Sequence, residues 1–267
     1  ALLDESLLHA DKTRAAVSVF IPETQSVAEG KAFIETHLAA AGIPYEMEVV
    51  GCREEDWAEA WKKYYHPIKV GRIVIVPAWE EYTPAPGEVT VTMDPGMAFG
   101  TGTHETTRLV ISMLEKYLKT GDRMLDVGTG SGILSIAALC LGARYAFGVD
   151  IDPKAEDIAR ENAAYNGFAA PAFTALTGNV TEDRALMEQL SEKTYDVVLV
   201  NIVADVIIGL SPILPDFLGD DTLLILSGIL DSRLGDVLAA LEAAGLTVAS
   251  IREKEEWRCV TARRNSK

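Results

Sequence analysis

From Pro67 onward, short apolar runs alternate with longer stretches in which apolar residues recur at helical spacing. Residues 73–76, 89–93, 124–127, 146–149, 197–200 and 223–226 read as strands, and residues 172–177 are strand-like. Between them, residues 105–118, 133–141, 154–166, 202–214 and 233–244 carry the helical period. Uninterrupted apolar strands such as residues 197–200 suit a parallel sheet covered on both faces, where neither face meets water. Residues 67–267 are therefore predicted to form a doubly wound, mostly parallel α/β domain.

The first fifty residues follow another pattern. A short strand over 17–21, a helix over 27–41 closed by Gly42, and a strand of alternating polarity over 45–50 predict a small α+β domain over 1–53. Two strands are few for an independent sheet, so the chain is expected to begin inside, or just after the first strand of, a ferredoxin-like half. Trp57, Trp61 and Tyr64, at spacings of four and three, share one face of a helix whose other side is charged. Residues 54–66 are thus read as a connecting helix between the two domains.

Charge narrows the choice of partner. With 24 Lys+Arg against 40 Asp+Glu, the net charge is −16, and 48% of the residues are hydrophobic. Affinity for a polyanion comes largely from cationic side chains that displace counterions, so direct nucleic-acid binding is disfavoured and a basic partner or small ligand is favoured. Cys52, Cys140 and Cys259 are far apart and lack zinc-ligand spacing, which predicts reduced thiols, no metal and a cytoplasmic setting. The most apolar stretch, residues 197–214, is broken by Asn201, Asp205, Ser211 and Pro212, so no membrane association is expected.

The segment Asp126-Val127-Gly128-Thr129-Gly130-Ser131-Gly132 joins an apolar strand to an apolar helix. Gly128 and Gly130 allow a ligand to lie against the main chain at the helix start. Asp150 ends the next strand, twenty-four residues after Asp126, where the diol of a bound ribose would lie. A dinucleotide fingerprint places Gly or Ala three residues after its second glycine; Ile133 stands there instead and disfavours a nicotinamide-dependent oxidoreductase. Asp126 either faces an ammonium or sulfonium ligand at the loop mouth or caps the following turn. The loop followed by an acidic strand end resembles the class I methyltransferases that use S-adenosyl-L-methionine, which implies a Rossmann-like methyltransferase sheet.

A longer resemblance begins at Met93-Asp94-Pro95-Gly96-Met97-Ala98-Phe99-Gly100-Thr101-Gly102-Thr103-His104-Glu105-Thr106-Thr107. Together with the tryptophan-bearing connector, Val149-Asp150-Ile151-Asp152-Pro153, Asn201-Ile202-Val203-Ala204 and Ser227-Gly228-Ile229-Leu230, it is similar to the bacterial methyltransferases of the eleventh protein of the large ribosomal subunit. The resemblance implies an N-terminal domain that recognises a basic ribosomal protein, and a catalytic domain that methylates its lysine side chains and N-terminal amine. Small-molecule amine methylation is the alternative on the same fold, because a cofactor fold does not disclose its acceptor.

Roles carried over from the resemblance fall on particular residues. Asp150 would accept from the ribose diol, with Gly128 and Gly130 admitting the methionine backbone and sugar. Thr106 would hold the methionine carboxylate or amino group, unless it or Thr107 merely caps its helix. Phe99, among glycines, would fold over the cofactor or anchor its loop by packing. Asn179 would face the adenine or form a turn. His104 lacks an orienting carboxylate in its motif and is read as structural. Asn201, at the carboxyl edge of the sheet, is the candidate catalytic residue, whose carbonyl would orient the incoming amine beside the cofactor it also helps to line, unless it merely caps the helix that follows.

Overall fold

The computed structural model describes residues 27–47, 66–94 and 104–265. The chain divides into two compact units, Ala1–Ala58 and Glu59–Lys267, with the division inside the segment read as the connector. Within the first unit, helix α1 spans Val27–Ala40, one residue short of its expected end. Tyr45, Glu46 and Met47, the described part of the expected strand 45–50, are not in a strand. The expected strand 17–21 and the aromatic stripe of Trp57, Trp61 and Tyr64 lie outside the described residues.

The second unit holds ten strands among its described residues: β1 (Ile68–Val70), β2 (Ile73–Pro77), β3 (Val89–Met93), β4 (Arg123–Val127), β5 (Tyr145–Asp150), β6 (Phe173–Thr177), β7 (Val197–Asn201), β8 (Leu223–Leu230), β9 (Leu246–Lys254) and β10 (Trp257–Arg264). Its helices are α2 (Glu105–Tyr117), α3 (Ile133–Cys140), α4 (Pro153–Tyr165), α5 (Arg184–Ser191), α6 (Ala204–Leu210) and α7 (Leu234–Ala243). A seven-stranded sheet runs in the order β6-β5-β4-β7-β8-β10-β9. Strands β4 to β8 are mutually parallel, and β10 runs antiparallel to both neighbours. This is the doubly wound α/β sheet that the sequence predicts.

Alternation within the apolar strands explains their uniform composition. Met124, Val197, Leu199 and Ile225 pack with Leu114 and Ile136 in one cluster, on the side covered by α2 and α3. Leu125, Val198, Val200 and Leu226 pack with Ile207, Leu210 and Leu241 in a second cluster, on the side covered by α6 and α7. Each of these strands therefore buries both faces and is mostly apolar; the buried polar exceptions, Asp126 in β4 and Ser227 in β8, lie toward the carboxyl edge.

Several elements depart from expectation. Strands β2 and β3 do not join the large sheet; they pair in parallel in a separate three-stranded sheet completed by β1. The helix expected over 202–214 stops at Leu210 and gives way to a 3-10 turn at Leu214–Phe217, because Pro212 and Pro215 cannot donate the backbone bonds that would continue it. The β9–β10 hairpin was not anticipated, and neither was α5.

Candidate active site at the carboxyl edge

Register brings the candidate residues level. Val127 pairs with Val149 on one side and Val200 on the other, Asp150 pairs with Thr177, and Asn201 pairs with Ser227. The ends of five neighbouring parallel strands therefore lie along one edge, with the glycine loop at the end of β4 between Asp150 and Asn201. Open α/β sheets place their ligands at this edge.

The glycine loop is fastened to β5. The Gly128 and Thr129 amides donate to the Val149 carbonyl at 2.8 and 3.1 Å, and the Gly130 amide donates to Asp150 Oδ2 at 2.8 Å. The other Asp150 oxygen accepts from the Asp152 amide at 3.0 Å. Asp150 thus fixes the loop and retains further lone pairs for hydroxyl donors. Gly128, Gly130 and Gly132 all have positive φ, at 79°, 53° and 80°. At Gly128 a Cβ would stand 2.5 Å from Ile202 Cγ2, so only glycine lets the loop pass beneath the segment that follows Asn201.

Asp126 is fully buried, and its Oδ2 accepts from the Thr129 hydroxyl at 3.0 Å and the Ser135 hydroxyl at 2.8 Å. It therefore ties the turn to the first turn of α3, while Oδ1 is buried with no hydrogen-bond partner. Burial pushes its carboxyl up to about 6; the two hydroxyls work against that rise and the nearby Asp150 adds to it. The turn-capping alternative is thus realised, with a second carboxylate oxygen left over.

Asn201 sits at the end of β7, and its side-chain Oδ1 is buried without a hydrogen-bond partner. An unsatisfied buried carbonyl costs about 1 to 3 kcal/mol. Its position is held by the next residue: the backbone of Ile202 lies so close to Gly228 on β8 that a Cβ there would fall 2.3 Å from the Ile202 carbonyl oxygen.

Thr106 is brought to the same neighbourhood from α2. Its carbonyl accepts from the hydroxyl of Ser227, the partner of Asn201 across β7 and β8, at 3.4 Å. His104, rather than Thr106 or Thr107, caps the helix: its Nδ1 accepts from the Thr106 amide at 3.3 Å, and the Thr106 hydroxyl lies 2.9 Å from the same nitrogen. The His104 ring meets Trp257 edge-on, with centroids 4.8 Å apart. His104 thus serves as the helix cap, in line with the structural reading of its motif. Asn179 follows β6, and its Oδ1 accepts from the amide and hydroxyl of Thr181 at 3.0 and 2.8 Å, the turn alternative. Phe99 lies outside the described residues.

Sequence reasoning missed Asn162. On the buried face of α4, it accepts from the Asp94 amide at 2.8 Å and donates to the Ser131 carbonyl of the glycine loop at 3.0 Å. The available signal was its spacing: Asn162 shares a helical face with the buried Ala155, Ala159 and Ala163.

The strand order, the glycine loop and the acidic end of β5 define a class I methyltransferase fold. The chain matches the family "Ribosomal protein L11 methyltransferase (PrmA)" over residues 3–265. The ribosomal protein L11 methyltransferase of Caldicellulosiruptor bescii is 41% identical across 95% of this chain and 82% of its own. That of Alkaliphilus oremlandii is 39% identical across 98% and 83%. The crystal structure of a ribosomal protein L11 methylase from Lactobacillus delbrueckii subsp. bulgaricus, at 31% identity and a TM-score of 0.68, covers 76% of this chain and all of that one. The chain belongs to the ribosomal protein L11 methyltransferase family.

Proposed function

We propose that the protein transfers methyl groups from S-adenosyl-L-methionine to amino groups of a basic large-subunit ribosomal protein, namely lysine side chains and the N-terminal amine, in the cytoplasm. One observation carries the reading: a buried carbonyl oxygen, Asn201 Oδ1, stands without a partner at the sheet edge beside the glycine loop. An amine donor would satisfy it. The names of the relatives supply the candidate acceptor, ribosomal protein L11. The net charge of −16 suits a basic one.

The residues fit the cofactor. Asp150 would hold the ribose diol, Gly128 and Gly130 the methionine backbone and sugar, and Thr106 the methionine head group; Asn179, with its Oδ1 engaged in the Thr181 turn, would meet the adenine only through its amide nitrogen. Asp126 would hold the loop in shape from below, through Thr129 and Ser135. When bound, S-adenosyl-L-methionine supplies an electrophilic methyl group on a sulfonium. The protein's own part is to position and dehydrate the acceptor. A lysine ammonium, with a pKa of about 10.4 in water, must first lose a proton to solvent as it enters the site, and a buried setting favours its neutral form. Asn201 Oδ1 then accepts one N–H of the amine and leaves the nitrogen lone pair directed away from itself. No dedicated base is required for that step. Residues 1–53 would recognise the ribosomal protein, with 54–66 connecting them to the catalytic domain.

Purified protein with labelled S-adenosyl-L-methionine should methylate ribosomal protein L11, with label at lysine Nζ and at the α-amine by peptide mass spectrometry. Label entering only small amines such as free lysine or polyamines would replace this acceptor with the small-molecule alternative.

A further inference from the structure

Asn162 and Asn166 lie one turn apart at the end of α4, and both reach across to the end of β3. Their partners differ. Asn166 stays clear of the glycine loop: it accepts from the Thr92 amide at 2.8 Å and, at 4.0 Å, from the Cys140 thiol at the far end of α3, and it donates to the carbonyls of Thr92 at 2.7 Å and Asn162 at 2.8 Å. Asn162, 1% exposed, divides its amide between two segments, with Oδ1 on the Asp94 amide and Nδ2 on the Ser131 carbonyl. Ser131, itself fully buried, lies between Gly130, whose amide binds Asp150, and Gly132, which starts α3.

We infer that Asn162 is a positioning residue for the nucleoside site: it sets the height of the glycine loop above the sheet by holding Ser131 to the end of β3. The inference rests on the cofactor reading proposed above. An amide is suited to this position because one end must accept an N–H and the other must donate to a carbonyl, and both are buried. A carboxylate would meet the Asp94 amide equally well but would turn a lone pair toward the Ser131 carbonyl. The loop would then be pushed away, and Gly130 would leave Asp150.

The test is calorimetric titration with S-adenosylhomocysteine of the full chain, its N162D variant and N166D as the control on the same helix face. Calorimetry separates two effects: partial unfolding lowers the binding stoichiometry and leaves the dissociation constant of the folded fraction unchanged, whereas a displaced loop raises that constant. Loss of a buried hydrogen bond and the repulsion together should weaken N162D binding about tenfold or more at unchanged stoichiometry, with N166D within about threefold of the parent. Should N162D be recovered unfolded, N162A carries the same comparison without a repelling charge. A dissociation constant for N162D or N162A equal to that of the parent overturns the inference, and so does an equal weakening in N166D. Absence of binding by the parent overturns the cofactor reading and this inference with it.

Discussion

Gly228 offers the sharpest separation of chemistry from binding. Its φ is +83°, and a Cβ added there would lie 2.3 Å from the carbonyl oxygen of Ile202, 2.8 Å from its carbonyl carbon and 3.1 Å from its nitrogen. All three atoms are backbone, so no side chain can rotate aside. To bring the closest contact beyond 3.0 Å, the segment at Ile202 must retreat by about 0.7 Å or more, and Asn201 is its neighbour in the chain. Displacements near 1 Å at a reacting group cost about 100-fold in rate. The left-handed backbone adds about 1 to 2 kcal/mol for an L side chain and the overlap about 1 to 3 kcal/mol, within the total stability of a typical domain. Gly228→Ala should therefore remain folded at 25 °C, with a lower denaturation midpoint. Its kcat for methyl transfer should fall about 30- to 100-fold, while the dissociation constant for S-adenosylhomocysteine changes less than about threefold. Gly235→Ala is the control: nothing lies within 4 Å of its added Cβ, and the substitution in α7 should be neutral or slightly stabilising. A Gly228→Ala enzyme with the parent's kcat would refute the placement of Asn201 at the reacting amine.

Three further outcomes follow from the same site. Asp150→Ala removes a charged acceptor and frees the Gly130 amide, so affinity for S-adenosylhomocysteine should drop by about 1.5 to 3 kcal/mol; unchanged affinity in calorimetry would show that Asp150 is only a loop anchor. Asp126, ordinarily near 3.8, is raised to about 6 in the folded chain, so the folded state holds its proton longer and this group's stabilisation is lost as pH rises from about 4 to 6. The stability of the parent relative to Asp126→Asn, measured by urea unfolding, should therefore fall by about 3 kcal/mol over that range, and a pH-independent difference would refute the burial argument. Methylation at subsaturating ribosomal protein should slow as salt rises, because exposed charges separated by more than about 8 Å are screened at physiological ionic strength; a salt-independent rate would remove the steering.

The parallel strands and their edge were legible because burial on both faces leaves an uninterrupted apolar run, as in Val197–Asn201. The same run cannot say which sheet receives it. Residues 73–76 read like the central strands, yet β2 is fully buried within a separate sheet. Strand β9 was hidden for the opposite reason: it is an edge strand, mostly exposed, and its Arg252, Glu253 and Lys254 carry no apolar alternation. Helix α5 is only two turns long; Leu186, Met187 and Leu190 do share one helical face, but the segment is too short for that face to stand out from a polar loop. At the candidate site, Gly128, Gly130, Asp150 and Asn201 could be singled out because loop chemistry at strand ends is local in sequence. Asn162 was not, because its two partners lie 68 and 31 residues away and only the fold brings them together.

The central claim is that the Asn201 carbonyl holds the acceptor amine rather than the cofactor. Single-turnover methyl transfer to ribosomal protein L11 by Asn201→Ala, with calorimetric S-adenosylhomocysteine affinity measured on the same preparation, tests it most directly. The rate should fall about 100-fold or more while cofactor affinity stays within about threefold of the parent. Parallel losses in rate and affinity would contradict the claim and reassign Asn201 to the cofactor pocket.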